Sequence, residues 1–307
     1  MKKIIRIGTR ESQLAVWQAT QVKDLLAEHN YPAELVYIKS EGDIDLKTPL
    51  YEMGVQGIFT RSLDAALLNE RIDVAVHSMK DVPTQLPNGL IQAAVLPRGP
   101  VEDLLVFKSN ADFLNNKNDA ATIATSSLRR KAQWLNRYPR HRIENLRGNV
   151  NTRLNKLQAK DWDAAIFAQA GLERIGLRPP NSMTIDWMLP APAQGAIMVM
   201  CRKDDSETLN ACTKLNDLST ALCTRIERDF LRTLLGGCST PISALAVEKD
   251  NKIHFKGNIL SLDGSKKVEV EKTIASADAT ELGKTAANEL LAKGGNTIAE
   301  EIRHAVS

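Results

Sequence analysis

The 307-residue chain reads as an α/β protein of two lobes joined by a double crossing, followed by a small α+β domain. Three observations predict this. Short β-branched runs alternate with helical periodicity up to Ala168, the signature of α/β units with ligands at the carboxyl ends of the strands. Two proline-marked breaks, Pro97-Arg-Gly-Pro100 and Leu189-Pro-Ala-Pro-Ala-Gln-Gly195, look like an outward and a return crossing, with a cleft between the lobes. From about Ser219 the pattern changes to one long helix followed by alternating strands. The expected domains are therefore 1–97 with 194–216, 98–193, and 217–307.

The elements follow in order. Residues 4–7 are β-branched and apolar, Gly8, Thr9 and Arg10 turn, and Leu14, Trp17, Val22, Leu25 and Leu26 recur at helical spacing. Residues 35–38 form a second strand and 63–68 a helix, and 72–76 are an apolar run of the kind buried in a parallel sheet. The second lobe contains strand 122–124, helix 128–135 and strand 164–168. The last part holds a helix to Leu235, a Gly-Gly-Cys turn, strands 243–247, 253–260 and 267–274, and a final helix. Residues 41–57 carry three glycines and few strong structure formers, and a loop this long reads as a lid.

Composition narrows the class. At 43% hydrophobic and 25% charged, the chain can bury sizeable cores, which excludes disorder, collagen and coiled coil. The most apolar stretch, 187–201, is interrupted by Pro190, Pro192 and Gln194 and is too short to span a bilayer. The basic start runs into Arg6 before any signal-peptide core, so a cytoplasmic protein without a membrane partner is expected. Cys201, Cys212, Cys223 and Cys238 form no C-x-x-C pair, and no metal site is expected. The first three read as small buried hydrophobes.

Charge is concentrated. Residues 125–156 contain nine Lys or Arg, seven of them Arg, against the single acid Glu144, which leaves 31 bases against 36 acids elsewhere. Arginine offers a planar fork for carboxylate or phosphate, so a polyanionic ligand is indicated. Thr125-Ser-Ser-Leu-Arg-Arg130 sets hydroxyls and two guanidinium groups at a helix start, where free N–H groups and the dipole favour an anion. Arg147-Gly-Asn-Val-Asn-Thr-Arg153 repeats the theme, and Arg10 adds a cation after the first strand. Nucleic acid would also use such a cluster, but with aromatic stacking partners, and only Trp134 and Tyr138 are at hand. A small polycarboxylate fits better.

Other residues stay open on spacing alone. Lys80-Asp81 is either a carboxylate entering a cleft beside a cation or a surface ion pair. His77 reads as structural rather than a base. Cys238 in Leu234-Leu-Gly-Gly-Cys-Ser-Thr-Pro241 is either an exposed thiol fixed for covalent attachment or a helix-ending turn.

Together, Asp73-Val-Ala-Val-His-Ser-Met-Lys-Asp-Val-Pro83, Thr125-Ser-Ser-Leu-Arg-Arg130, Leu146-Arg-Gly-Asn-Val-Asn-Thr-Arg-Leu154 and Leu235-Gly-Gly-Cys-Ser-Thr-Pro241 resemble the porphobilinogen deaminase (hydroxymethylbilane synthase) family, in the family's order and over essentially the whole chain. The resemblance implies two lobes like those of periplasmic binding proteins plus a third domain. It implies a monomeric transferase of tetrapyrrole and heme biosynthesis that joins four porphobilinogen molecules head to tail and releases ammonia. It also implies a dipyrromethane cofactor in thioether linkage to Cys238, with Lys80, Ser127, Arg129 and Arg130 on the cofactor carboxylates. Arg10, Ser12, Arg147, Arg153, Arg174 and Gln194 would meet the incoming pyrrole or the growing chain, and Asp81 would be catalytic. Gln56, Ala193 and Ser243 depart from the family's usual lysine, glycine and glycine, and Ala193 would stiffen the return crossing. The rival reading is a non-catalytic two-lobed binder of small polycarboxylates.

Overall fold

The computed structural model describes residues 3–39, 60–115, 119–234 and 240–306. The expected lid at 41–57, with Gln56, and the expected attachment residue Cys238 lie outside them. Along the chain the elements are β1 (Ile5–Thr9), α1 (Gln13–Glu28), β2 (Ala33–Tyr37), α2 (Arg61–Leu68), β3 (Val74–Ser78) and β4 (Leu90–Val95). Then come β5 (Asp103–Phe107), β6 (Thr122–Ala124), α3 (Leu128–Arg137), β7 (Arg142–Glu144), α4 (Val150–Ala159), β8 (Ala164–Ala168), α5 (Gln169–Glu173) and β9 (Ser182–Ile185). The chain continues through β10 (Ile197–Arg202), α6 (Ser206–Thr213), α7 (Leu218–Leu234), β11 (Ile242–Lys249), β12 (Lys252–Leu260), β13 (Lys267–Ala275), α8 (Leu282–Leu290) and α9 (Asn296–Val306).

The chain divides into two compact units. Residues 3–39, 60–99 and 195–222 make the first; 100–115, 119–194, 223–234 and 240–306 make the second. Each is built on a five-stranded mixed sheet with the same logic. In the first the order is β2-β1-β3-β10-β4, with β1 parallel to β2 and β3, and β10 antiparallel to β3 and β4. In the second the order is β7-β6-β8-β5-β9, with β6 parallel to β7 and β8, and β5 antiparallel to β8 and β9. The antiparallel fourth strand in each sheet is the one that follows a proline-marked crossing. A three-stranded antiparallel meander, β11-β12-β13, also belongs to the second unit.

The cores account for the elements. Ile7, Val22, Leu26, Val74 and Val199 are fully buried in the first unit, as the β-branched runs and the helical spacing of α1 require. In the second, Leu104, Ile123, Trp134, Ala164 and Ile166 fill the space on the two faces of the sheet. β6 and β8 fall where the sequence places them. β3 begins two residues later than expected. Ile72 sends its N–H back to Ala66 O to close the turn after α2, so the ladder starts only at Val74. Cys201, Cys212 and Cys223 are buried, and burial pushes the thiols of the first two up to about 11 and about 12. No described helix is long and apolar enough to cross a membrane.

Candidate functional site

In both units most of the sequence-predicted residues follow the carboxyl ends of neighbouring parallel strands, where an α/β sheet binds ligands; Gln194 lies on the second crossing instead. In the first unit Arg10 and Ser12 follow β1, and Lys80 and Asp81 follow β3, its hydrogen-bonded neighbour. Ser12 also has a local task, since its Oγ accepts the Ala15 N–H and caps α1. The string Met79-Lys80-Asp81 is one turn of 3₁₀ helix. Buried Met79 and Val82 clamp it on either side, Met79 N–H donates to Ala196 O at 3.0 Å, and Val82 N–H donates to Met79 O at 3.2 Å. The turn therefore holds Asp81 exposed and Lys80 half-buried in fixed positions. His77 is buried in β3. Desolvation, helped by the Arg10 charge, lowers its pKa to about 4, so it is neutral at pH 7 and fits the structural role.

The second unit brings more of them together. Ser127, Arg129 and Arg130 follow β6, Arg147 and Arg153 follow β7, and Arg174 follows β8, three strands side by side. Ser127 caps α3 by accepting the Arg130 N–H, and Asn149 caps α4 by accepting the Thr152 N–H at 2.9 Å. Ser126 ties the two loops together, because its Oγ donates to Leu146 O and accepts the Leu146 N–H. Gly148 has φ +112, and a Cβ there would meet Thr152 at 2.7 Å, so this bend needs glycine. Arg153 Nε donates to the Gly148 carbonyl at 2.7 Å, which lays its guanidinium along the loop. Arg147 is buried, and Arg174 is half-buried with its pKa lowered by desolvation to about 10.

Sequence reasoning missed the residue at the centre. Asp103 opens β5 and pairs with Ala168 at the carboxyl end of β8, so it lies on the same edge as the arginines. Its Oδ2 accepts from Arg129 Nη2 at 2.7 Å. Its Oδ1 accepts from Arg130 Nη2 at 2.8 Å, Arg130 Nε at 3.2 Å and Gln194 Nε2 at 2.9 Å. Arg129 Nη1 donates to Leu189 O, Arg130 Nη1 to Ile166 O, and Gln194 Nε2 also to Val101 O. Burial lowers the Arg129 pKa, Asp103 opposes that, and Arg130 adds to it. Among the described residues, Arg129 Nε is a buried donor with no hydrogen-bond partner. The only local signal for Asp103 is an acid opening an apolar run just after the first crossing.

The second crossing has its own anchor. Ala193 sits at φ +61, and its N–H donates to Glu227 Oε2 at 2.6 Å, while Ala246 N–H donates to Oε1 at 2.7 Å.

Two sheets that each set cations past the carboxyl ends of their parallel strands define an α/β protein for an anionic ligand. Comparison with known proteins gives it a family. Residues 5–210 match the family described as "Porphobilinogen deaminase, dipyromethane cofactor binding domain", and residues 221–292 match "Porphobilinogen deaminase, C-terminal domain". The chain is 41% identical to the porphobilinogen deaminase of Desulforamulus reducens, covering 99% of each chain. It is 43% identical to the chloroplastic enzyme of Oryza sativa subsp. japonica, over 95% of this chain and 84% of that one. It is 39% identical to the Listeria monocytogenes enzyme, over 99% and 100%. The chain belongs to the porphobilinogen deaminase family. Among solved structures, the methionine binding protein MetQ aligns with a TM-score of 0.43 at 14% identity, over 69% of this chain and 89% of that one.

Proposed function

We propose that the chain is a transferase that condenses four porphobilinogen molecules head to tail into hydroxymethylbilane, releasing ammonia at each step. The observation that carries this reading is the row of cations past the parallel strands of both units, with Asp81 held exposed beyond β3. Each pyrrole brings about two carboxylates at neutral pH, and bidentate guanidinium groups are the matching donors.

The donor set suits a dipyrromethane cofactor. Arg129 Nε, without a hydrogen-bond partner among the described residues, is a buried N–H that a ligand carboxylate would satisfy, and Ser127 stands at the start of the same helix. Lys80, Ser127, Arg129 and Arg130 would hold the cofactor carboxylates, and Cys238 would carry its thioether. When bound, the cofactor supplies the free pyrrole carbon to which the first substrate is joined. Arg10, Ser12, Arg147, Arg153, Arg174 and Gln194 bind and orient the incoming pyrrole or the chain. Asp81 faces the pyrrole N–H groups and stabilises the positive charge that develops as ammonia departs. It also takes up the proton lost from the joined ring.

The reading includes a three-domain organisation and a cytoplasmic monomer without a nucleic-acid partner. Burial of Arg129, Arg130 and Arg147 supports the last point, because those guanidinium groups are not laid open to a phosphate backbone. Trp134 and Tyr138, the stacking candidates, are packed in the core.

The test is the intact mass of the purified chain beside Cys238→Ser. An excess of two porphobilinogen units less two ammonia, present in the native chain and absent from the variant, is expected. A native mass that stays bare after incubation with porphobilinogen refutes the attachment at Cys238 and favours a non-catalytic binder of polycarboxylates.

A further inference from the structure

We propose that Asp103 is a positioning residue for the carboxylate-binding arginines, an inference that rests on the function proposed above. Three residues expected to touch cofactor or substrate, Arg129, Arg130 and Gln194, all donate to this one carboxylate, which is 0% exposed. Asp103 belongs to a strand, and its pairing with Ala168 fixes its backbone. The two oxygens divide the work: Oδ2 takes one N–H of Arg129, and Oδ1 takes the fork of Arg130 together with the amide of Gln194. Gln194 brings a donor without a charge, and it links the carboxylate to the second crossing.

The charge count distinguishes this from a simple structural ion pair. Arg129 and Arg130 are 4% and 6% exposed, and among the described residues Asp103 is the one carboxylate bonded to them, which leaves the cluster one positive charge beyond it. It is also one acceptor short, at Arg129 Nε. A buried charge without a counter-ion is costly, and a ligand carboxylate supplies both missing elements. Asp103 thus fixes the guanidinium planes while leaving the cluster ready for one further anion. A second protein carboxylate in this place would have closed the site.

The test uses full-length Asp103→Asn and Asp103→Glu beside the native chain. The readouts are melting temperature, the fraction of molecules carrying the cofactor mass, and kcat and KM for porphobilinogen by ammonia release. Asp103→Asn makes the cluster more positive by one, so a carboxylate acting through charge alone would lower KM on removal. Positioning predicts the opposite: KM at least ~10-fold higher and cofactor occupancy reduced among folded molecules, since a misplacement of about 1 Å costs on the order of 100-fold. Asp103→Glu keeps the charge and should fold even where Asp103→Asn does not, with KM and occupancy moved in the same direction. A folded Asp103→Glu with native KM and occupancy, or an Asp103→Asn with lowered KM, overturns the proposal. A native chain that neither carries the cofactor nor turns over porphobilinogen instead overturns the function itself, and this inference with it.

Discussion

Replacing Asp81 by asparagine isolates the charge of one side chain at nearly constant shape. The structure sets the folding cost low. Asp81 is exposed, and the turn that presents it is held by buried Met79 and Val82 and by backbone bonds at 3.0 and 3.2 Å that the substitution leaves alone. Stability should change by no more than about 0.5 kcal/mol. The catalytic cost is larger. A carboxylate about 4 Å from a developing unit charge, at an effective dielectric of about 20, contributes about 4 kcal/mol. Loss of that amount is roughly a thousandfold in rate. Asp81→Glu keeps the charge but lengthens the arm by roughly 1.5 Å, which weakens the same term by about 1 kcal/mol and adds a misplacement cost, so a loss of about 10- to 100-fold is expected. The assay is steady-state ammonia release beside a thermal melt of each variant. Asp81→Asn retaining more than about a tenth of native turnover at an unchanged melting temperature would refute the assignment of Asp81.

Asp73 is fully buried and receives hydrogen bonds from Lys3, Arg6 and Arg202, so Asp73→Asn should cost about 2–4 kcal/mol by chemical denaturation, discounted because Lys3 and Arg6 are partly exposed. Burial pushes its pKa up, but those bonds hold it well below the usual carboxylate range. Its stabilisation is therefore full above the unfolded-state value near 4 and is lost as pH falls below it, and denaturation midpoints of native chain and variant should converge in that acid window. Ala193→Gly relieves a left-handed alanine but adds unfolded-state entropy, two terms of about 1 kcal/mol that nearly cancel, so its melting temperature should stay within a few degrees of native, whereas Ala193→Val should melt clearly lower. Gly264 has φ +76, and a Cβ there would meet Ala132 O at 2.4 Å and Asn136 N at 2.7 Å, so Gly264→Ala should cost about 2–3 kcal/mol in a denaturant titration by pushing the β12–β13 hairpin off the helix that carries Arg129.

Much of this fold is legible because its signals are local. The β-branched runs at β1, β6 and β8 and the helical spacing of α1 sit within single windows, and proline marks both crossings. Strands β4, β5, β7, β9 and β10 are not legible in the same way: β4, β5 and β10 are mostly apolar runs without the alternation that separates strand from buried helix, and β7 and β9 are only three and four residues long. The candidate site divides the same way. Ser127 is legible as a hydroxyl before a helix start, whereas Asn149 caps α4, a helix not expected from the sequence.

Asp103 was hidden for a physical reason. A charge count over residues 125–156 finds nine bases and one acid, but Coulomb's law acts through space and not along the chain. The acid that neutralises half of the Arg129–Arg130 pair lies 26 and 27 residues upstream and is delivered by antiparallel pairing of β5 with β8. Asp73 repeats the arrangement, 70 residues from Lys3 and 129 from Arg202. In both places a lone aspartate beside an apolar strand gathers cations from distant segments. The difference lies in what remains unpaired. At Asp73 the cations Lys3 and Arg6 reach solvent and Asp205 shares the load, so the cluster is a structural pin. At Asp103 the cations are buried and, among the described residues, one charge is left over, a costly arrangement that an added anion would relieve.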